Sequence, residues 1–367
     1  MSLAREEFQS FVGVDLHQCT VSLTAVDPRG EPLRRLKIST KSVQKIEDWL
    51  LDLPRPSHLA VEACPFVEWF IDRYRPCVDQ LDIADATELS NLRGKRRKTD
   101  YNDALDIARR LARGECPLGF IADQPLMQLR KRGRHWRQLS RLLARSKHSL
   151  KSMLHAANLR GPKFDGAGAH RWFLAHRHLL GEVQQQAFAD FLDIILLVER
   201  ARQRLDREIQ CAIQAPRFRE IVARLQTVPG IGNIWGCIIA AEIGPFDCFP
   251  NADTLEFWAG LTADLKESAG RTQSGNITKA GSATLRWALC KAALTLCHSD
   301  AKQEAIRQRL IQRIGKPKAN VAMGRRLLRI LFAMLRDGKD FQRGPSRHRT
   351  AAANRAKAKR KTEKEAA

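Results

Sequence analysis

Four acidic residues stand where a buried strand or a helix start would hold them. Asp15 closes the apolar run Phe11-Val12-Gly13-Val14, and Glu62 closes a second, Leu59-Ala60-Val61. Asp100 and Asp103 follow in Lys-Thr-Asp-Tyr-Asn-Asp, three apart, so on a helix they share one face. Carboxylates gathered at strand ends repel one another unless a cation sits between them. Hard divalent cations with oxygen ligands are the usual solution, which in a basic chain points to metal-assisted phosphodiester chemistry. The run Arg93, Gly94, Lys95, Arg96, Arg97, Lys98 precedes the acidic pair. It would draw a phosphate backbone to a site that otherwise repels it. The plainer alternative is that Asp100 caps a helix over 101–113 and Asp103 favours its positive end.

The elements that would position these acids are legible as a strand-strand-strand-helix-strand-helix-strand order. Short apolar or β-branched runs at 11–16, 20–27 and 33–38 surround the turn signal Asp27-Pro28-Arg29-Gly30 and predict a three-stranded meander. Val43, Ile46, Trp49, Leu50 and Leu53 have helical spacing and end at Pro54 and Pro56. A strand at 58–62, a helix near 65–74 and a strand at 78–83 follow. This is the order of an RNase H-like fold, in which the first and fourth strands carry acids where Asp15 and Glu62 fall.

The chain has 367 residues, 44% of them hydrophobic, with a formal net charge of +23 and pI near 10.2. That length suits two or three domains with real cores. The charge points to a polyanionic partner, most often nucleic acid, with a merely solvated or ribosome-associated basic surface as the alternative. Nine scattered cysteines form no C-x-x-C pair, so neither structural zinc nor a disulfide framework is expected. The start of the sequence carries no signal-peptide pattern and no uncharged run is long enough to span a membrane. The expectation is a cytoplasmic protein, at the nucleoid when bound to DNA.

The middle of the chain reads as basic helix. Nine Lys or Arg and no acid lie between Leu126 and Lys151. Trp136, Leu139, Leu143, Ser146, Leu150, Met153 and Ala157 alternate three- and four-residue spacings. So do Phe188, Phe191, Ile195, Val198, Arg202, Leu205, Ile209 and Ala212. Two such seams, broken by the Gly/Pro-containing stretch 161–168, predict an antiparallel helix pair or an intermolecular coiled coil. An ordinary helical bundle with a basic face is the competing reading.

The third part is mostly helical. Leu225-Gln226-Thr227-Val228-Pro229-Gly230-Ile231-Gly232 has the form of a helix-hairpin-helix element, whose Gly230 and Gly232 would let backbone amides approach a phosphate. A plain helix–helix turn reads equally well. Helices are expected from Trp235 to Ile243, near 252–259, over 283–298 and over 319–336, with a polar Gly/Ser/Thr-rich loop over 260–281. Lys279, Arg286, Arg325 and Arg326 are candidate phosphate contacts there. From Arg343 the chain holds nine Lys or Arg against two Glu and reads as a disordered basic arm. The domain expectation is therefore 1–125, 126–216, 217–342 and a tail over 343–367.

The motifs F-V-G-V-D, V-E-A, K-T-D-Y-N-D-A, V-P-G-I-G, A-E-I-G and S-A-G-R…I-T-K-A-G-S-A-T-L-R occur in order from about Phe11 to Phe341. In them the chain resembles the DEDD transposases of bacterial insertion sequences, the IS one-ten family, which join an N-terminal RuvC-like domain to a C-terminal "transposase-20" domain. The resemblance implies that Asp15, Glu62, Asp100 and Asp103 bind magnesium, with manganese as a substitute, and that Ser268 is a nucleophile linked transiently to DNA in a composite site. It further implies a structured guide ("bridge") RNA and a homodimer that forms a tetramer in the synaptic complex. Ala263 and Ala269 depart from the family's proline and glycine, and Ser274 and Ser282 compete with Ser268. By its residues alone the serine loop offers only a hydroxyl among cations. The alternatives are a RuvC-like nuclease that uses metal-activated water on branched DNA, and a non-catalytic nucleic-acid-binding protein.

Overall fold

The computed structural model describes residues 4–93, 100–162, 164, 166–268, 271–279 and 281–343. The expected contacts Lys95, Arg96, Arg97 and Lys98 lie outside the described residues, as do the side chain of Arg93 and the arm beyond residue 343. Two compact units divide the chain, 1–121 and 122–367.

In the first unit the elements run β1 (Ser10–Leu16), β2 (Thr20–Val26), β3 (Pro32–Ser39), α1 (Val43–Leu51), β4 (Ser57–Glu62), α2 (Val67–Tyr74), β5 (Gln80–Ala84), α3 (Ala86–Arg93), α4 (Asp100–Arg113) and β6 (Leu118–Gly119). The sheet order is β3-β2-β1-β4-β5-β6. β1, β2 and β3 are antiparallel, β4 is parallel to β1 and β5 to β4, and β6 returns antiparallel to β5. The turn into β3 closes on Asp27, whose Oδ1 accepts from the amides of Arg29 at 2.9 Å and Glu31 at 2.8 Å. This is the local bonding for which aspartate is favoured in turns.

Every residue of β1 is buried, because helices cover both faces of the sheet. Alternate positions Val12, Val14 and Leu16 join Leu59 and Val61 under α1 and α2, with Trp49, Phe70 and Tyr74. The opposite positions Phe11 and Ala60 join Leu89 of α3 and Ile107, Ala108 and Leu111 of α4. Burying side chains such as Ile107 and Leu111 contributes about 1.5–3 kcal/mol each, which anchors α4 to the sheet.

The second unit contains α5 (Gln124–Ala156), α6 (Gly166–His176), α7 (Glu182–Ala212), α8 (Pro216–Gln226), α9 (Asn233–Ile243), α10 (Ala252–Trp258), the hairpin β7 (Ala263–Ser268) and β8 (Arg271–Ile277), α11 (Ala283–Ser299), α12 (Ala301–Ile314) and α13 (Lys316–Asp337). Asp123 caps α5 by accepting from Leu126 N at 3.1 Å and pairs with Arg217. α5 and α7 lie antiparallel, tied by Arg132–Glu208 at 3.4 Å and Lys147–Glu199 at 2.7 Å. Their far ends close over Leu143, Leu150, Phe188, Leu192 and Ile195. Their near ends share one core with α9, α11 and α13 through Trp136, Leu205, Ile238, Leu289 and Leu331.

Three sequence expectations change here. The stretch 161–168 gives way to α6 from Gly166, 260–281 holds a β-hairpin instead of a polar loop, and α12 is a helix that periodicity did not reveal. α12 buries the polar Gln303 and Arg307. Among the described residues no helix is long and apolar enough to cross a membrane.

Candidate active site

β1 and β4 are parallel neighbours in which Val14 pairs with Val61. Asp15 and Glu62 are the next residues on each strand, so the two acids stand at the same level, Glu62 as the last residue of β4 and Asp15 one before the end of β1. Side chains alternate between faces. Asp15 therefore shares the face of Gly13, and Glu62 that of Ala60, which is the face covered by α4.

α4 comes exceptionally close at Gly13. A Cβ there would clash with Ala104 O, lie 2.5 Å from Ala108 N and reach Ile107 Cβ at 3.0 Å. Asp103 immediately precedes Ala104 in the first turn of the helix, where a negative charge is favoured. Asp15 and Asp103 are each only 8% exposed and Glu62 is half-buried. Asp100 begins α4, and its side chain lies outside the described residues.

Two neighbours stand beside this group. His17 is exposed, and its Nε2 stands 3.3 Å from Asp15 Oδ2. Cys64, two residues beyond Glu62, has its thiol pushed up by burial, and the negative charges of Glu62 and Asp15 act in the same direction. Both acids thus lie within electrostatic reach of one sulfur. The sequence signal was the short spacing Glu62-Ala63-Cys64. By type, the carboxylate oxygens of Asp15, Glu62 and Asp103 suit a hard divalent cation. Among the described residues, no group of three or more His, Cys, Asp or Glu stands ready to hold a metal ion.

The second group of candidates belongs to the second unit. β7 and β8 pair from Ala263↔Ile277 to Ser268↔Arg271, so Ser268 is the last paired residue before the hairpin turn. The foot is closed by Thr278 N to Thr262 O at 3.0 Å and Lys279 N to Gly260 O at 3.2 Å. The competing serines occupy different positions. Ser274 pairs with Leu265 within the strands. Ser282 caps α11, its Oγ accepting from Thr284 N at 3.2 Å and Leu285 N at 3.1 Å. The side chains of Ser268 and Ser274 lie outside the description.

The candidate phosphate contacts sort by partner. Arg286 donates to the carbonyls of Ala259 at 3.0 Å and Gly281 at 3.2 Å, and burial lowers its basicity. Arg325 Nε donates to Glu256 Oε2 at 2.6 Å, and Arg326 Nε to Gln303 Oε1 at 2.9 Å. Lys279 is exposed, in a left-handed conformation with φ 57°. Between α8 and α9, Gly230 has φ +95°, and a Cβ there would lie 2.6 Å from Thr295 Cβ and 3.0 Å from Ala292 O. Packing against α11 thus accounts for this glycine. Gly232 precedes α9 with open space around it.

Comparison with known proteins adds a family. The profile described as "Transposase IS116/IS110/IS902 family" matches residues 222–308, from α8 through the hairpin into α12. A "Probable family 20 transposase" of Pseudomonas aeruginosa is 25% identical over 334 residues, covering 89% of this chain and 96% of that protein. The "Insertion element IS110 uncharacterized 43.6 kDa protein" of Streptomyces coelicolor is 26% identical over 147 residues, 40% of this chain and 35% of that protein. The "Insertion element IS116 uncharacterized 44.8 kDa protein" of Streptomyces clavuligerus is 26% identical over 159 residues, 43% of this chain and 39% of that one.

Proposed function

The chain belongs to the IS116/IS110/IS902 family of transposases, and on that premise we propose that it cuts and rejoins DNA with a carboxylate group on the sheet and a serine on the hairpin. One observation carries the reading. Asp15 and Glu62 stand at one level on adjacent parallel strands, on the face where α4, which carries Asp103 in its first turn, crosses Gly13. The sheet order β3-β2-β1-β4-β5, with three antiparallel strands followed by two parallel to β1, supports an RNase H-like, RuvC-like unit.

Asp15, Glu62, Asp100 and Asp103 would hold magnesium, or manganese in its place. When bound, the metal supplies positive charge to the scissile phosphate and to the oxygen that leaves it. His17 orients Asp15 through their contact at 3.3 Å. Ser268 supplies the attacking hydroxyl from the hairpin end, where Arg271 is its register partner on β8. Its attack on the scissile phosphorus forms a serine–DNA phosphodiester, the serine proton passing to the DNA end that leaves as a hydroxyl. A second DNA hydroxyl then attacks the same phosphorus, loses its proton and displaces Ser268 Oγ, which leaves as the free hydroxyl. The formal charge of +23 suits a chain that holds DNA together with a structured guide RNA, working as a dimer and as a tetramer in synapsis. The antiparallel α5–α7 pair is the element we assign to coiled-coil dimerisation.

The test is DNA strand exchange by Ser268→Ala and Asp15→Asn proteins, with denaturing gels to capture protein-linked DNA. The expected result is loss of exchange in both and loss of the covalent adduct with Ser268→Ala. Exchange at full rate by Ser268→Ala, without adduct in either protein, would overturn the serine mechanism and favour metal-activated water.

A further inference from the structure

The cations of α5 do not all meet partners of the same kind. Arg130 donates to the carbonyls of Ala241 at 2.6 Å and Glu242 at 3.3 Å, closing the end of α9. Arg134 grips the carboxylate of Glu242, itself 2% exposed, at 2.8 and 3.1 Å. Arg132 and Lys147 pair with acids of α7.

Arg137 differs. Its Nε is buried without a hydrogen-bond partner, and its guanidinium lies 5.7 Å over the ring of Trp287. Arg202 of α7 repeats the arrangement, with a buried, unpartnered Nε and a guanidinium 4.5 Å over Trp136. Trp136, Trp235 and Trp287 form one cluster, with ring centroids 4.8 to 6.0 Å apart. Trp235 and Trp287 are partly exposed.

Around Arg137 and Arg286 positive charge gathers. Burial lowers the basicity of Arg137, and the neighbouring Arg141 lowers it further, while Glu242 opposes both. Burial likewise lowers the basicity of Arg286, and Arg137 adds to that. Like charges held together with unsatisfied donors are costly unless an anion completes them. A phosphodiester is that anion, and half-exposed tryptophans give the bases a stacking surface.

We propose that Arg137, Arg202 and Arg286, set around the cluster of Trp136, Trp235 and Trp287, bind the phosphodiester backbone of a nucleic acid strand. Arg286 also donates to Ala259 and Gly281, on either side of the hairpin segment. A strand held here runs past the foot of the hairpin that ends in Ser268. The site goes beyond the cutting chemistry and depends on neither the acids nor the serine.

The experiment is a fluorescence anisotropy titration of the full chain at several salt concentrations. The probes are a labelled DNA strand, the same sequence as RNA, and the DNA duplex. Arg171, exposed on α6, supplies the control Arg171→Gln for the loss of one charge. Arg137→Gln and Arg202→Gln should each weaken binding by on the order of 10-fold. Each should also lower the slope of log K against log salt by about 0.7 for a single strand or 0.9 for duplex, beyond the control. The probe with the largest loss identifies the occupant as DNA or RNA. Without nucleic acid, both variants should melt no lower than the parent, because an uncompensated charge has been removed. Binding and slopes equal to those of Arg171→Gln in all three arms would overturn the site. Using Ser268→Ala protein throughout keeps this outcome separate from any failure of the strand-exchange reading.

Discussion

Ala104 of α4 sets its carbonyl against the Cα of Gly13 on β1, so closely that any side chain at position 13 would clash with helix backbone. This crossing determines how near the first turn of α4 comes to the strand ends that carry Asp15 and Glu62. The glycine in F-V-G-V-D is therefore part of the machinery that positions the acids, although it bears no functional group.

Gly13→Ala should be severely destabilising, because Ala104 O and Ala108 N are backbone atoms that cannot rotate away. A loss of about 3 kcal/mol, the upper end of the usual cost of overpacking, is expected in urea unfolding. Strand exchange should fall with it, since Asp103 moves with α4. A fully stable, fully active Gly13→Ala protein would show that the crossing is dispensable.

Asp103→Asn keeps the shape of the side chain and removes its charge. If Asp103 is the metal ligand proposed above, its loss should slow strand exchange by on the order of 100-fold. Magnesium should raise the melting temperature of the parent chain by mass action and leave an Asp15→Asn, Asp103→Asn double variant unmoved. Thermal melting with and without chelator reads this directly.

Glu256 is fully buried and takes hydrogen bonds from Arg325 and Arg329 of α13. Replacing both arginines by methionine strands a carboxylate in the interior, at a cost on the order of 3–5 kcal/mol. The Glu256→Gln protein should be less affected, because both arginines are partly exposed and can turn to water. Unfolding midpoints of the two proteins compare these costs. Unchanged stability of the double variant would return Arg325 to the list of free phosphate contacts.

Cys237 and Cys297 are fully buried, and burial pushes their thiols from the ordinary 9.0 to about 12 and about 11. The unfolded chain ionises these thiols first, so it binds fewer protons than the native one. Stability from them is complete below pH 9 and is lost as pH rises toward the folded values. The loss grows by about 1.4 kcal/mol per pH unit for each thiol across its window. Urea unfolding at about pH 8 and about pH 10 should show the decline, reduced in a Cys237→Ala protein. The exposed Cys19, Cys211 and Cys248 should be alkylated in the native state while these two are spared.

Much of the first unit was legible because its signals are local. Short apolar or β-branched runs and turn residues mark β1, β2 and β3, and the helical spacing from Val43 to Leu53 marks α1. The hairpin carrying Ser268 was less visible. Ala-Asp-Leu-Lys-Glu-Ser and Arg-Thr-Gln-Ser-Gly-Asn-Ile lack an apolar face, and their pairing runs through backbone bonds that composition does not encode. α12 escaped for a related reason, since its buried positions include Gln303 and Arg307.

The acids and the arginines divide along the same line. Sequence alone determined that Asp15 and Glu62 lie at or beside the ends of buried strands and that Asp103 rides the first turn of a helix, because each position follows from its immediate neighbours. Only the tertiary structure decided that Val14 pairs with Val61, that α4 rests on Gly13, and that Arg325 faces Glu256 while Arg137 faces a tryptophan. Each is a contact between residues far apart in the chain. A cation's role depends on the charge that meets it, and that partner is chosen by packing.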